Sequence, residues 1–193
     1  IKDNTPNYLL FVEHKHVYTL GNSGDTANLL FNNDLLKEKG IDFYKTNRGG
    51  DITYHGPGQL VCYPIIDMEN FYTDINKYLR DLESIIIDTL NFFGIKASSN
   101  SVDTGVWLDV GNSNERKICA MGIKVSRWVT MHGLALNVNT DLSYFEGIIP
   151  CGINNKGVTS MSNELNRIVE IDLVQKILIE NFSKKFNAII DSN

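Results

Sequence analysis

The 193-residue chain has only three cysteines, Cys62, Cys119 and Cys151, and no two of them stand in Cys-x-x-Cys spacing. An odd count without metal-site spacing argues against a disulfide framework and against a structural zinc site. The ordinary reading is a reduced, cytoplasmic protein with buried thiols. One unpaired cysteine stays open as a nucleophile. No stretch approaches the ~18 consecutive apolar residues that would span a membrane, and no secretory leader is visible. Runs of like charge are absent. The net charge of −5 argues against a general nucleic-acid binder, which needs a basic surface, but leaves room for a local basic patch facing an acidic protein. No repeat or low-complexity linker divides the chain, so one domain over residues 1–193 is expected. A domain of this size buries roughly 70% of its unfolded surface.

What is present reads as mixed strands and helices. Tyr8 to Leu20 is predicted as one strand, apolar at first and then alternating, stopped by Gly21. His14 and His16 then share a face. No further ligands with supporting spacing accompany them, so no metal is expected. Asn33 is predicted to cap a short helix from Asp34 to Lys39, and strands follow at Ile41–Thr46 and Leu60–Ile66. Tyr72 to Phe93 has helical spacing, with Thr73 or Asp74 as its start and Gly94 as its stop. Val106–Val110, Arg116–Val125 and Val129–Val138 read as three successive antiparallel strands. The stretch from Asp141 to Gly152 reads as a loop with one helical turn. A last helix, Asp172–Phe186, is predicted to be capped by Asp172. Without regular βαβ alternation, this order suggests an α/β (α+β) fold with a mixed, largely antiparallel sheet packed by helices.

Four segments carry polar or permissive residues. In Arg48-Gly-Gly-Asp-Ile-Thr-Tyr-His55, followed by Gly-Pro-Gly-Gln, the glycines allow close backbone approach and Arg48 offers an anchor for an anion or a carbonyl. The bland alternative is a tight turn. No Gly-Lys-Ser/Thr phosphate loop occurs. In Lys117-Ile-Cys-Ala-Met-Gly122, Lys117 is either a solvated edge residue or a proton acceptor that activates a thiol. Gly133 and Ala135, on one face of Met131-His-Gly-Leu-Ala-Leu-Asn137, leave room either for a bulky core residue or for an apolar ligand chain. Cys151, between Pro150 and Gly152, stands in a constrained loop rather than in an apolar strand like Cys62. Local sequence leaves the nucleophile and the inert thiol both open. Trp107 and Trp128 read as packing residues.

Taken together these segments resemble the lipoyl(octanoyl) transferases of the biotin/lipoate protein ligase superfamily. The signature Arg-Gly-Gly-x-x-Thr-x-His-Gly-Pro-Gly-Gln, the Lys-Ile-x-x-x-Gly strand, the block from Ser126 to Leu142 and the Pro-Cys-Gly loop occur in order between Tyr8 and Met161. The resemblance implies the catalytic-domain fold of those ligases. It also implies transfer of an octanoyl group from the phosphopantetheine of octanoyl-acyl carrier protein to a lysine of a lipoyl domain. Such domains belong to the 2-oxoacid dehydrogenases and the glycine cleavage H protein, and the transfer is the first step of endogenous lipoate attachment. Cys151 takes the acyl-thioester role, and Lys117 the partner that lowers its pKa. Arg48, Gly49, Gly50, Asp51, Ile52, Thr53, Tyr54 and His55, Ala120, Met121 and Gly122, and Gly133, Leu134 and Ala135 fall on substrate-binding segments. No cofactor, ATP, nucleic acid or membrane is implied. Family members carry a further strand and helix before the position of Tyr8, so a missing N-terminal segment is expected. An ATP-dependent lipoate or biotin ligase and a non-catalytic carrier-binding module are the competing readings. The Gly-Pro-Gly-Gln run and the Pro-Cys-Gly loop favour the transferase over the first, and Lys117 with Cys151 favours it over the second.

Overall fold

The structure, a computed structural model, describes residues 6–149 and 156–191. Strands β1 (Tyr8–Val12), β5 (Gln59–Ile65), β9 (Val129–Asn137), β8 (Arg116–Ser126), β7 (Val106–Leu108) and β6 (Ser98–Ser99) lie side by side in that order. All these pairings are antiparallel, and β10 (Gly157–Val158) adds a short parallel pairing to the start of β8. A second sheet holds β2 (Val17–Leu20) between β3 (Asp42–Lys45) and β4 (Ile52–His55). The fold is therefore the mixed, largely antiparallel α/β type expected.

Helices α2 (Ile75–Phe92) and α4 (Ile171–Phe186) cover one face of the large sheet. Leu82, Ile86 and Leu90 of α2 meet Val174, Leu178 and Phe182 of α4 over Ile118, Leu134 and Leu136. Burying each such side chain is worth about 1.5–3 kcal/mol, so this layer fixes the sheet's position. Asp74 caps α2 by accepting from the Lys77 N–H at 2.9 Å. Helix α1 (Asn33–Glu38) begins one residue earlier than predicted, on Asn32, whose side chain accepts from Leu35 N. The start of α4 also moves up: Asp172 lies inside the first turn, where its charge complements the helix dipole, and is not the cap.

The stretch Tyr8–Leu20 is not one strand. β1 pairs with β5 in the large sheet, whereas β2 joins the small one. Side-chain anchors make the crossing between them. Glu13 accepts from Gly58 N at 2.9 Å, His14 bonds the Tyr63 hydroxyl and His16 the Tyr54 hydroxyl, each at 2.8 Å. The two histidines thus serve different sheets rather than sharing a face. β4 and the five-residue helix α3 (Met161–Leu165) were not foreseen. β4 is short, but Ile52 and Tyr54 bury against Tyr18, Leu20 and Phe145, which supplies the packing that local sequence lacks.

Glycines at the sheet centre admit backbone. A Cβ on Gly133 would lie 2.1 Å from the Cys62 carbonyl oxygen, and one on Gly122 would lie 2.6 Å from that of Gly49. We expect Gly133→Ala to lower stability by about 1–3 kcal/mol, because neighbouring strand backbone yields poorly. Urea unfolding of the variant beside the parent checks this, with an unchanged midpoint as the contrary result.

Candidate active site

The two sheets enclose a cavity of about 750 Å³, within the range of small-molecule sites (~300–1,000 Å³). Its floor is the face of the large sheet turned away from the helical core, and it extends to Ile75 and Leu79 at the start of α2. Ala120 and Ala135 are direct partners across β8 and β9, as are Gly122 and Gly133, and together they form a floor of small residues. Ala120 and Ala135 leave open space above them. At Gly122 the space is taken by the Gly49 carbonyl and the Arg48 side chain, and at Gly133 by β5, so these two glycines border the cavity without widening it. Met121 and Leu134 alternate toward the core and reach the cavity at its edge.

The loop from Arg48 to Asp51 forms the opposite wall. Gly49 N donates to the Ile123 carbonyl at 2.9 Å, fastening the loop across β8. Buried Arg48 clasps β2, donating through Nη2 to the Thr19 carbonyl at 2.6 Å and to Thr19 Oγ1 at 3.0 Å. Gly50 has a φ of +83°, a left-handed conformation that suits glycine. Asp51 accepts from Ile52 N and from Asn28 Nδ2, each at 2.6 Å. Thr53 and His55 face the cavity, as strand alternation requires. Tyr54 faces away. It is fully buried in the small core, stacked on Tyr144, and of the sequence-predicted binding residues described it is the one that does not border the cavity.

Lys117 reaches the cavity because β8 carries an extra residue. Val106 pairs with Cys119 and Trp107 with Lys117, so Ile118 is bulged out of register. Strict alternation would put Lys117 on the face of Cys119, inside the core. The bulge turns it to the other face. There its ammonium lies 4.4 Å from the centre of the Trp107 ring, and that of Lys156 lies 4.9 Å from it. Such cation–π contacts contribute about 0.5–2 kcal/mol. Lys156 is also paired with Asp103 and Glu115, each at 2.7 Å. Trp107, read from sequence as packing, is thus both buried and part of the site. A cross-strand lysine partner would have been the signal, but the bulge hides it.

Cys151 lies outside the described residues. The chain on both sides of it is tied to the cavity rim. Ile149 N donates to the Asn28 carbonyl at 2.8 Å, and Asn28 is the residue that holds Asp51. On the other side Val158 pairs with Lys117, and Thr159 N donates to the Lys117 carbonyl at 2.9 Å. The other two cysteines are fully buried, and burial pushes both thiols well above their ordinary pKa, so they are held as inert thiols.

His55 and His132 border the cavity, and the His14 ring lies 5.6 Å from that of His55; all three are pushed below the ordinary histidine pKa. Burial lowers the pKa of His14 and of His132, with Arg48 and Lys124 adding repulsion at His132. At His55 burial, followed by the charges of Arg48 and His14, overcomes the hydrogen bond to Gln59 and brings the pKa down to about 4. His132 has a φ of +60° within β9, and its Nε2 meets Asn47 Oδ1 at 2.7 Å. The sequence reading passed over His132, Asn47, Thr19 and Gln59. Their one common signal was proximity to the glycine-rich motifs.

Residues 1–183 match the lipoyl protein ligase A/B catalytic domain, and the chain belongs to that family. Among its relatives, the octanoyltransferase of Christiangramia forsetii is 60% identical over 185 residues, covering 95% of this chain and 79% of the relative. The octanoyltransferase of Bacteroides fragilis strain YCH46 is 51% identical over 172 residues, covering 89% and 78%. The fold matches a bi-partite lipoate protein ligase from Thermoplasma acidophilum with a TM-score of 0.79 at 20% identity, covering 98% of this chain and 75% of that one. It matches lipoate-protein ligase A bound with ATP with the same score and identity, covering 98% and 76%.

A neutral buried His55 makes stability depend on pH. Its folded pKa of about 4 lies below the unfolded value, so its stabilising contribution is complete above pH 6.5 and is lost as pH falls toward 4. The loss approaches about 3 kcal/mol. Urea titrations between pH 7 and pH 4 should show a shallower fall for His55→Gln than for the parent. Parallel curves would contradict the assignment.

Proposed function

We propose that the chain transfers an octanoyl group from octanoyl-acyl carrier protein to a lysine of lipoyl domains, through a thioester on Cys151. The acceptors would be the lipoyl domains of 2-oxoacid dehydrogenases and the glycine cleavage H protein. The observation that carries this reading is Lys117, turned by a bulge into a cavity whose rim holds both flanks of the Cys151 segment. The octanoyltransferase relatives support the acyl group and the reaction type.

The chemistry balances without ATP. Lys117 takes the Cys151 proton, and the thiolate attacks the carbonyl carbon of the donor thioester. The carbon–sulfur bond to pantetheine breaks, and the departing thiolate takes the proton back from Lys117. The acceptor amine then attacks the Cys151 thioester. An amide forms, the bond to Cys151 breaks, and Lys117 passes the amine's proton to the cysteine sulfur. A nearby ammonium favours the thiolate during the first half, which a free thiol of pKa about 8.5 needs at neutral pH. The acyl chain would lie over Ala120 and Ala135, gaining about 0.8 kcal/mol per buried methylene before ordering costs. The reaction requires no metal or cofactor and belongs in the cytoplasm, where carrier and acceptor proteins are found together. Among the described residues no helix is long and apolar enough to cross a membrane.

Intact-mass measurement after incubation with octanoyl-acyl carrier protein, ATP omitted, should show one added octanoyl group on the parent and none on Cys151→Ser. Lys117→Ala should slow both loading and delivery by at least about tenfold, the usual range for a lost general acid–base being 10²–10⁴. An equally acylated Cys151→Ser protein, or transfer that occurs only with ATP, would overturn the proposal and favour the ligase chemistry.

A further inference from the structure

His55 stands in the wall between the main cavity and a smaller one of about 430 Å³, lined also by His14, Lys15, Asp42 and Tyr44. A chain of buried amides runs behind it. The chain starts at the backbone carbonyl of Thr159, which can only accept. Asn137 Nδ2 donates to it at 3.0 Å, which turns Asn137 Oδ1 toward Gln59. Gln59 Nε2 donates to that oxygen at 2.9 Å and to the Tyr54 carbonyl, a second obligate acceptor, at 3.2 Å. The orientation of Gln59 is therefore settled twice. Its Oε1 faces His55 Nδ1 at 2.9 Å. An amide oxygen cannot donate, so Nδ1 carries the ring's hydrogen and the lone pair lies on Nε2.

The other side of the ring agrees. Thr19 Oγ1 accepts from Arg48 Nη2 and Nε at 3.0 and 3.3 Å, so its own hydrogen is available to His55 Nε2, 3.4 Å away. That contact is long for a hydrogen bond to a ring nitrogen and is easily exchanged for a better donor. Burial and the nearby Arg48 keep the ring uncharged at neutral pH. Nothing in a neutral imidazole of this tautomer donates into the cavity.

We propose that Gln59 and Asn137 are positioning residues that hold His55 in its Nδ1–H form, so that Nε2 accepts an N–H of the substrate in the cavity in place of the long contact to the Thr19 hydroxyl. The proposal rests on the acyl-transfer reading above. The acyl chain brings no N–H. The pantetheine amides of the donor and the lysine amine of the acceptor do, and the two half-reactions tell them apart.

The tautomer is read by ¹⁵N NMR of histidine-labelled protein at neutral pH, without substrate. The expected spectrum has the Nδ1–H form in the parent and a tautomer mixture in Gln59→Leu. Single-turnover loading from octanoyl-acyl carrier protein and delivery to a lipoyl domain are then measured separately. His55→Asn keeps a polar group toward Gln59 but withdraws the acceptor from the cavity. His55→Gln places an amide near the old Nε2 position. One half-reaction should slow roughly tenfold in His55→Asn, the scale of one lost hydrogen bond, and be partly restored in His55→Gln. Selective loss of delivery assigns the N–H to the amine, and selective loss of loading assigns it to pantetheine. An Nε2–H ring in the parent, equal slowing of both halves, or no slowing in His55→Asn would overturn the proposal. Failure of the acyl-transfer reading itself shows separately, as a parent protein that takes up no octanoyl group.

Discussion

The close approach of foreign backbone to the centre of the large sheet is the constraint on which the site depends. The Arg48–Gly49 chain crosses β8 at Gly122, where any side chain would strike the Gly49 carbonyl. Within the large sheet itself, β5 presses on Gly133 of the neighbouring strand. Because Gly122 lacks a Cβ, the loop that leads into the small sheet can lie against the large one. Closure sets Arg48 against Thr19 and leaves the space above Ala120 and Ala135 unfilled. The cavity is therefore a by-product of backbone packing rather than of a missing core residue.

Within that enclosure charge is sparingly placed. Arg48 is buried and clasped to β2. Burial and its own charge push the histidines beside it below their ordinary pKa. Lys117 is delivered to the rim by the bulge and rests on Trp107. Charges that are paired or clasped, around a floor of small apolar residues, suit chemistry on an uncharged acyl group, because little extra charge has to be desolvated.

Much of the secondary structure was legible in the sequence because it rests on local pattern. The α2 stripe and the β8–β9 hairpin needed only their own periodicity. The division of Tyr8–Leu20 did not show, since a strand's sequence does not say which sheet will receive it. β4 was missed for the related reason that its stability comes from Tyr18 and Phe145, which are distant in the chain. At the site, the glycine-rich and small-residue segments were legible as motifs. Whether Gly133 makes room for a core residue or for a ligand chain stayed open, because the sequence does not reveal that strand backbone takes that space.

The sequence by itself determined the repertoire: a mixed α/β chain, the motif segments from Arg48 to His55 and from Lys117 to Gly122, and the family they resemble. Those are properties of local order and composition. Tertiary structure alone decided which way Lys117 points, that Trp107 receives it, and that Tyr54 turns into the core while His55 turns to the cavity. It also decided the tautomer of His55, through amides drawn from β5 and β9 and a carbonyl after β10. The reason is the same in each case: direction on a strand depends on register with a neighbour, and register is set only when the neighbour is in place.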